Sequence, residues 1–343
     1  MVIANGFFYN KHSPITFLFI TMDAYAIFFI RLLVSVIPFM FFVDTNRFKE
    51  TRLFKLIIGV ILGTNAFYTF RAVQFFPDAI RAREKVENIG AEEVLFATPN
   101  YAMVYGLALL IPVLWQKWKN AESKEDKILY LIYVVLSFYI VAVSQFATAL
   151  IISVVGTLLF FVLCMKNNKR VVVVSIVAFT LFYVHITKID VAVIDMLANS
   201  IDGTWSEKLH DISDSLSGSN LSGSLSTRND LYQTSLDSFF ESPVFGIMAN
   251  PGGQTGGHST AIDILGLAGL MGFVPFILTY IYNIRRVCRT CNFNKNKASI
   301  IACNVEFIIL VFTKNIITSL SVFFSFFVLF PLMLKMENTD ERK

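Results

Sequence analysis

The chain has 343 residues, of which 55% are apolar and 16% charged, with 35 phenylalanines, a formal net charge of +4 and a mean hydropathy of +0.62. Soluble domains carry roughly 45–50% apolar and about 25% charged residues, so this composition excludes a soluble globule, a disordered chain and a disulfide scaffold. The apolar residues fall in runs long enough to cross a hydrocarbon core of ~30 Å as a helix, rather than in the ~10-residue alternating segments of a transmembrane barrel.

In chain order, charge-bounded apolar runs predict nine membrane spans, at about 15–43, 53–75, 98–115, 128–144, 147–165, 171–189, 259–284, 298–313 and 316–334. The first run is too long for the apolar region of a cleavable signal peptide. The expectation is an all-α polytopic membrane protein in three parts. Residues 1–189 hold spans one to six, 190–258 form one large extracytoplasmic loop, and 259–343 hold three spans and a cytoplasmic tail. Asp23, Arg31 and Glu306 lie inside apolar runs and read as buried polar pairs with no assigned role.

Orientation follows from where Lys and Arg sit, because short positive loops stay in the cytoplasm. The connections 44–55, 116–127, 166–170 and 285–297 together hold 16 Lys/Arg, against 6 in the alternate connections 77–97, 144–147, 190–258 and Lys314. The N-terminus and the 190–258 loop are therefore expected outside and the C-terminal tail inside. Cys164, Cys288, Cys291 and Cys303 then fall near cytoplasmic helix ends, away from the polar loop. A single C-x-x-C without a second pair of ligands reads as two reduced thiols rather than a zinc site.

The 190–258 loop is the long polar stretch of the chain, and long loops of this kind carry function or disorder. Val191, Ile194, Leu197, Ala198 and Ile201 are spaced as one apolar helix face, suited to the membrane interface. Residues 213–227 are Ser/Gly-rich and read as flexible. Thr227-Arg228-Asn229-Asp230 resembles a capping box that starts a second helix over about 228–241, ended by Pro243 and Gly246. The stretch NPGGQTGGH at 250–258 packs four glycines and a proline into nine residues and leads into a span beginning near Ser259.

That junction has the makings of an anion site. A helix start offers unpaired N–H groups and a positive dipole end, and a glycine-rich approach lets backbone amides reach a phosphate. His258 and Ser259 sit there, and Arg228 is one of two basic residues in the loop, with Lys208. An exterior diphosphate fits these groups. The chain lacks a Walker loop, an H-E-x-x-H and a D-x-D, which argues against nucleoside triphosphates and metal-held nucleotide sugars.

Three stretches carry a family resemblance: Ser226-Thr-Arg-Asn-Asp-Leu-Tyr, Phe239-Phe-Glu-Ser-Pro-Val-Phe-Gly246, and Gly256-Gly-His-Ser-Thr-Ala-Ile-Asp263 running on through Gly269 to Gly272. With Thr98-Pro-Asn-Tyr-Ala-Met-Val-Tyr105 and Ser144-Gln-Phe-Ala-Thr-Ala-Leu150, they resemble the O-antigen polymerase/O-antigen ligase superfamily, and most of all its exopolysaccharide-polymerase branch. The resemblance covers spots within about 95–280 and is most specific after the large loop.

It implies a GT-C-like membrane glycosyltransferase of the bacterial plasma membrane, working on the outer face without metal or cofactor. The donor would be an oligosaccharide on undecaprenyl diphosphate. A polymerase passes the growing chain to a fresh lipid-linked repeat unit, whereas a ligase passes it to lipid A-core. Partners would be membrane lipid, a flippase and a chain-length regulator, with no nucleic acid.

Carried over by position, Arg228 would hold the diphosphate and His258 would stand near the reacting groups, as base or as phosphate contact. Ser259, Asp263, Arg71 and Gln145 complete the candidate substrate-binding set. Asp263 is read either as functional or as paired with a buried Arg, and Arg71 either as reaching the diphosphate or as an interfacial snorkel. Gln145 stands where the family often has Arg, and Ser259 where the ligase branch often has Asn. Gly266, Gly269 and Gly272 read as a close-packing face. The Phe-rich run at 321–330 is expected to face lipid, either as plain surface or against the donor's tails. A flippase or other transporter is the reading from another class, but it calls for internal repeats and matched broken helices, and the sequence shows no repeat.

Overall fold

The computed structural model describes residues 52–75, 101–144, 146–170, 172–174, 176–177, 189–200, 206, 209–210, 213, 224–248, 253–316 and 319–335. The described residues contain helices and turns and no strand. The helices are α1 (Arg52–Phe75), α2 (Tyr101–Asn120), α3 (Lys124–Val143), α4 (Ala147–Cys164), α5 (Ile189–Ser200), α6 (Ser224–Glu241), α7 (Thr260–Thr290), α8 (Phe293–Thr313), α9 (Leu320–Phe324) and α10 (Phe330–Lys335). A π turn at Ser325–Leu329 joins the last two.

Four of them, α3, α4, α7 and α8, are long and apolar enough to cross a membrane. The described residues are thus helical, with the apolar helices of a membrane protein. The predicted span at 15–43 and most of that at 171–189 lie outside the described residues. Helix α5 falls where the apolar spacing of Val191–Ile201 places it.

The chain forms two compact units, one of residues 1–161 with 274–343 and one of residues 162–273. This grouping differs from a loop bounded at 190 and 258. The second unit takes in the first turns of α7 because those turns are bonded to α6, as described below.

In the first unit α2 is the central helix, packed by α3, α8, α9, the π turn and α10. It is apolar on all sides, and Val104, Tyr105, Ala108, Leu109, Ile111, Val113 and Leu114 are all buried, as a helix enclosed by others requires. Small residues set the approach distances: a Cβ on Gly59 of α1 would meet the Tyr133 hydroxyl of α3 at 2.7 Å, and one on Gly106 of α2 would meet the Ser325 hydroxyl at 2.7 Å. Without a hydrophobic drive between helices in lipid, such close packing is what holds a bundle together.

Helix α3 starts where the Ser123 hydroxyl accepts from the Asp126 amide at 3.0 Å, with Glu125 and Asp126 in the first turn facing the positive dipole end. The turn from α7 to α8 reverses at Asn292, whose φ of 47° is left-handed and whose side chain caps α8 through the Lys295 amide.

Polarity in the first unit is distributed inside out. Ile128, Leu131, Ile132 and Val135 of α3, Ile151, Val154, Val155 and Leu158 of α4, and Val274, Leu278, Ile281 and Tyr282 of α7 are exposed at helical spacing. Ser137, Ser153, Asn296, Ser299, Asn304 and Glu306 are buried. An exposed apolar stripe on each of three helices, with polar groups inside, is the pattern that hydrocarbon as solvent demands.

The Phe-rich run departs from its expected role as lipid-facing surface. Val322, Phe323, Phe326, Val328 and Phe330 are buried, and Phe324 is the exposed phenylalanine among them. Phe326 stacks on Phe307 of α8 at 3.8 Å between centroids, and Tyr280 of α7 stacks on Phe307 at 5.7 Å. The π turn widens the helix so that Phe326, Phe327 and Phe330 crowd one side, where aromatic neighbours stabilise one another.

Candidate functional site

The second unit contains the residues that sequence placed around the loop–helix junction. Helix α6 begins at Ser224, not at a cap on Thr227. A cap contributes about 1 kcal/mol, while a nucleated helix gains a backbone bond for each residue it adds, so propagation overruns the capping signal. Arg228 consequently lies within α6 rather than at its end. The helix stops at Glu241 as Pro243 and Gly246 predict. Gly246 turns the chain at φ 59°, and its amide donates to the Ser242 carbonyl at 2.7 Å.

One face of α6 carries Arg228, Leu231, Ser235 and Ser238, spaced at three, seven and ten residues from the first. The lower three hold the glycine-rich loop. Ser238 donates its hydroxyl to the Gln254 carbonyl at 2.6 Å and accepts from the Gln254 amide at 3.2 Å. Ser235 accepts from the Gly256 amide at 2.8 Å. Gly256 lies directly on the Leu231 backbone, with no room for a side chain. Arg228 lies about 4.5 Å along the helix axis from Leu231, at 1.5 Å of rise per residue.

Asp263 ties this loop to α7. Its carboxylate accepts from the Ser235 hydroxyl at 2.7 Å, the Gly257 amide at 3.2 Å and the Ser259 amide at 3.0 Å. Ser259 returns the favour at the helix start. Its hydroxyl accepts from the Ile262 amide at 3.4 Å, and its carbonyl accepts from the Asp263 amide at 2.7 Å. Asp263 is 3% exposed and Ser259 0%. A carboxylate taken from water needs such donors, and here three of them meet it.

Two expectations change as a result. The amides of Gly256, Gly257 and Ser259, read from sequence as open to a phosphate, are engaged by Ser235 and Asp263. Asp263 and Ser259, read as substrate-binding, turn their polar atoms inward and organise the junction. The reason is local: a carboxylate four residues after the helix start reaches back to the same orphan amides that a bound anion would take.

Helix α7 is broken soon afterwards. Gly269 adopts φ 57° and ψ −154°, so the amides that follow lose their partners one turn back. The Leu270 and Met271 amides instead take the carbonyls of Pro243 at 2.9 Å and Val244 at 3.1 Å. Gly246, Gly266 and Gly269 all sit against backbone: a Cβ on Gly266 would meet the Ser235 carbonyl at 2.6 Å, and one on Gly269 would meet the Pro243 carbonyl at 2.6 Å. Gly266 and Gly269 are thus close-packed as expected, and Gly269 also breaks the helix.

His258 is exposed at the clasped junction, with Nδ1 3.2 Å from the Gly257 carbonyl. Arg228 is half-buried, and among the described residues its guanidinium has no hydrogen-bond or ion-pair partner. Besides His210, which lies 3.9 Å from Asp195, and Arg170, which donates to the Val162, Leu163 and Met165 carbonyls, the described part of the unit offers the exposed His258 imidazole and the half-buried Arg228 guanidinium. Arg71 belongs to the first unit, where it is exposed late in α1. Gln145 lies outside the described residues.

Ser235 and Ser238 were missed as site-building residues. Their signal was present in the sequence as hydroxyls on the Arg228 face of α6, but their partners lie 16 to 28 residues away and follow no fixed spacing. Among the described residues no cluster of three or more His, Cys, Asp or Glu is placed to hold a metal ion. The four cysteines are free thiols. In comparisons with known proteins the chain matches no protein-family model, and no curated protein matches it significantly.

Proposed function

We propose that this chain polymerises undecaprenyl-diphosphate-linked oligosaccharide repeat units of a surface polysaccharide, by metal-independent glycosyl transfer on the outer face of the bacterial plasma membrane. The observation that carries the proposal is the clasped junction. His258 stands exposed on a loop immobilised through Asp263 and Ser235, and Arg228 shares the helix face that holds the same loop.

In this reading the acceptor hydroxyl attacks the anomeric carbon of the donor. The new carbon–oxygen bond forms as the bond to the diphosphate breaks, and the diphosphate leaves on its lipid. The leaving group is already good, so the protein's task is to neutralise its growing charge and to align the hydroxyl. Arg228 supplies a guanidinium fork that matches phosphate oxygens. His258 takes the hydroxyl proton, the role an imidazole fills near neutral pH. Asp263, Ser235 and Ser259 are positioning residues that fix the loop bearing His258.

The nine-span topology, with 190–258 outside, belongs to the same proposal. It predicts that a tag at position 215 reports the outer face. The direct test is reconstitution with a lipid-linked repeat unit as both donor and acceptor. Polymer ladders support the proposal. Transfer only to lipid A-core would make the chain a ligase, and passage of intact donor across the bilayer with no new glycosidic bond would make it a flippase.

A further inference from the structure

Glu306 lies on α8 inside the first unit and is 0% exposed. Sequence reads it as half of a buried polar pair with Asp23 or Arg31, which lie outside the described residues; among the described residues both carboxyl oxygens are without a hydrogen-bond partner. The side chain reaches to α4 and occupies the space that a Cβ on Gly156 would need. Gly156 is therefore a wall of the space this carboxyl fills, on the side of α4 where Ile152, Ser153 and Phe160 are also buried. Three further polar atoms on these helices are buried without a partner among the described residues: Thr157 Oγ1, next to Gly156; Asn296 Oδ1, whose amide nitrogen donates to the Cys291 carbonyl at 2.7 Å; and Asn304 Oδ1, whose amide nitrogen donates to the Ile300 carbonyl at 2.6 Å.

Among the described residues, the other titratable and charged groups make no hydrogen bond to the carboxyl, although the Cys303 thiol lies close enough to interact with it electrostatically. On α8, Cys303 donates its thiol to the Leu109 carbonyl at 3.2 Å. Helix α2 brings Tyr105, Lys117 and Lys119, and α7 brings Tyr280, which stacks on Phe307. Helix α4 has no charged residue between Ala147 and Cys164, and α9 and the π turn have none either. Lys335 ends α10. None of these bonds to a Glu306 oxygen. An ionised carboxylate with no donor inside a helical bundle is untenable, whereas an ionisable group kept there is a functional site by default.

We propose that Glu306 is a proton-binding site within the helical bundle, held as the neutral acid in a cradle formed by the backbone of Gly156. The ligand is a proton rather than a metal ion, because among the described residues no cluster of three or more His, Cys, Asp or Glu is placed to hold one. This inference is independent of the glycosyl-transfer proposal, since Glu306 and Gly156 belong to the first unit and the His258 junction to the second.

The test is labelling of the intact detergent-solubilised protein with dicyclohexylcarbodiimide, an apolar reagent that needs a protonated carboxyl. The acid oxygen bonds the central carbon of the reagent, the proton passes to one of its nitrogens, and the adduct rearranges to a stable N-acylurea with no redox change. Peptide mass spectrometry is expected to find the adduct at Glu306, with a labelling rate that varies less than about twofold between about pH 6 and about pH 8. A water-soluble carbodiimide should leave this residue unmodified.

Glu306→Gln replaces a neutral acid with a neutral amide, so it should fold with little change in Tm and lose the adduct. Gly156→Ala should reduce labelling of Glu306 severalfold by filling the cradle. Absence of the adduct in folded wild-type protein would overturn the proposal. So would an adduct suppressed by sodium or potassium at constant pH, which would assign the site to a cation, or failure of Glu306→Gln to fold, which would show that the charge is required.

Discussion

The Ser235 hydroxyl donates to the Asp263 carboxylate at 2.7 Å, joining a loop helix to the start of a candidate membrane span across 28 residues of sequence. Three more bonds of the junction share this pair, because Ser235 also holds Gly256 and Asp263 also holds Gly257 and Ser259. Asp263→Asn keeps the size and removes the charge that three donors serve. It should destabilise the protein by about 2–3 kcal/mol, and Ser235→Ala by about 1–2 kcal/mol, since both leave buried donors or acceptors unpaired. Thermal melting in detergent measures both. A double variant losing less than the sum of the two would confirm that they act as one unit.

The glycines with positive φ separate conformational strain from crowding. Gly257 has φ 73° and open space around it, whereas Gly269 has φ 57° and the Val244 and Pro243 backbone against it. Gly257→Ala should cost about 1 kcal/mol, the backbone penalty alone. Gly269→Ala adds a clash with backbone that has no way to yield, and should cost about 3 kcal/mol or more. Equal effects at the two positions would refute the broken geometry of α7.

The aromatic stack makes a prediction opposite to that of a lipid-facing run. Phe326 is fully buried against Phe307, while Phe324 two residues earlier is exposed. Phe326→Ala should lower stability by about 3–5 kcal/mol and Phe324→Ala by less than about 1 kcal/mol, as read by melting temperature.

Cys291 lies in the turn between α7 and α8, and burial pushes its thiol up despite the Thr290 hydroxyl and nearby cations that favour the thiolate. The thiolate is the reactive form, so a raised value means slow alkylation near neutral pH that speeds up as pH rises. Maleimide should modify Cys291 at least about tenfold more slowly than the half-buried Cys164. Mass spectrometry after timed quenching provides the rates.

The sequence makes the helices legible where a charged or capping residue bounds an apolar run, as Ser123 and Lys124 do for α3. It marks the junction through His258 and the glycines before it. What it hides are contacts without fixed spacing. The Ser235–Asp263 bond and the Gly269 break both depend on a partner from elsewhere in the chain. Buried and lipid-facing phenylalanines are also identical in composition, so only packing distinguishes Phe326 from Phe324. Glu306 is visible as a charge in an apolar run, but only the structure reveals that its carboxyl has no hydrogen-bond partner among the described residues.

The central claim is that Arg228 and His258, presented by the clasped junction, carry out glycosyl transfer from a lipid diphosphate. Its most direct test is the polymerisation rate of purified Arg228→Ala and His258→Ala proteins on a lipid-linked repeat unit, with melting temperature as a control for folding. The account predicts that both fall at least about a hundredfold, as removal of a charge-stabilising group or a general base does, while both proteins melt within a few degrees of wild type. Chain lengths and rates equal to wild type in either variant would contradict it.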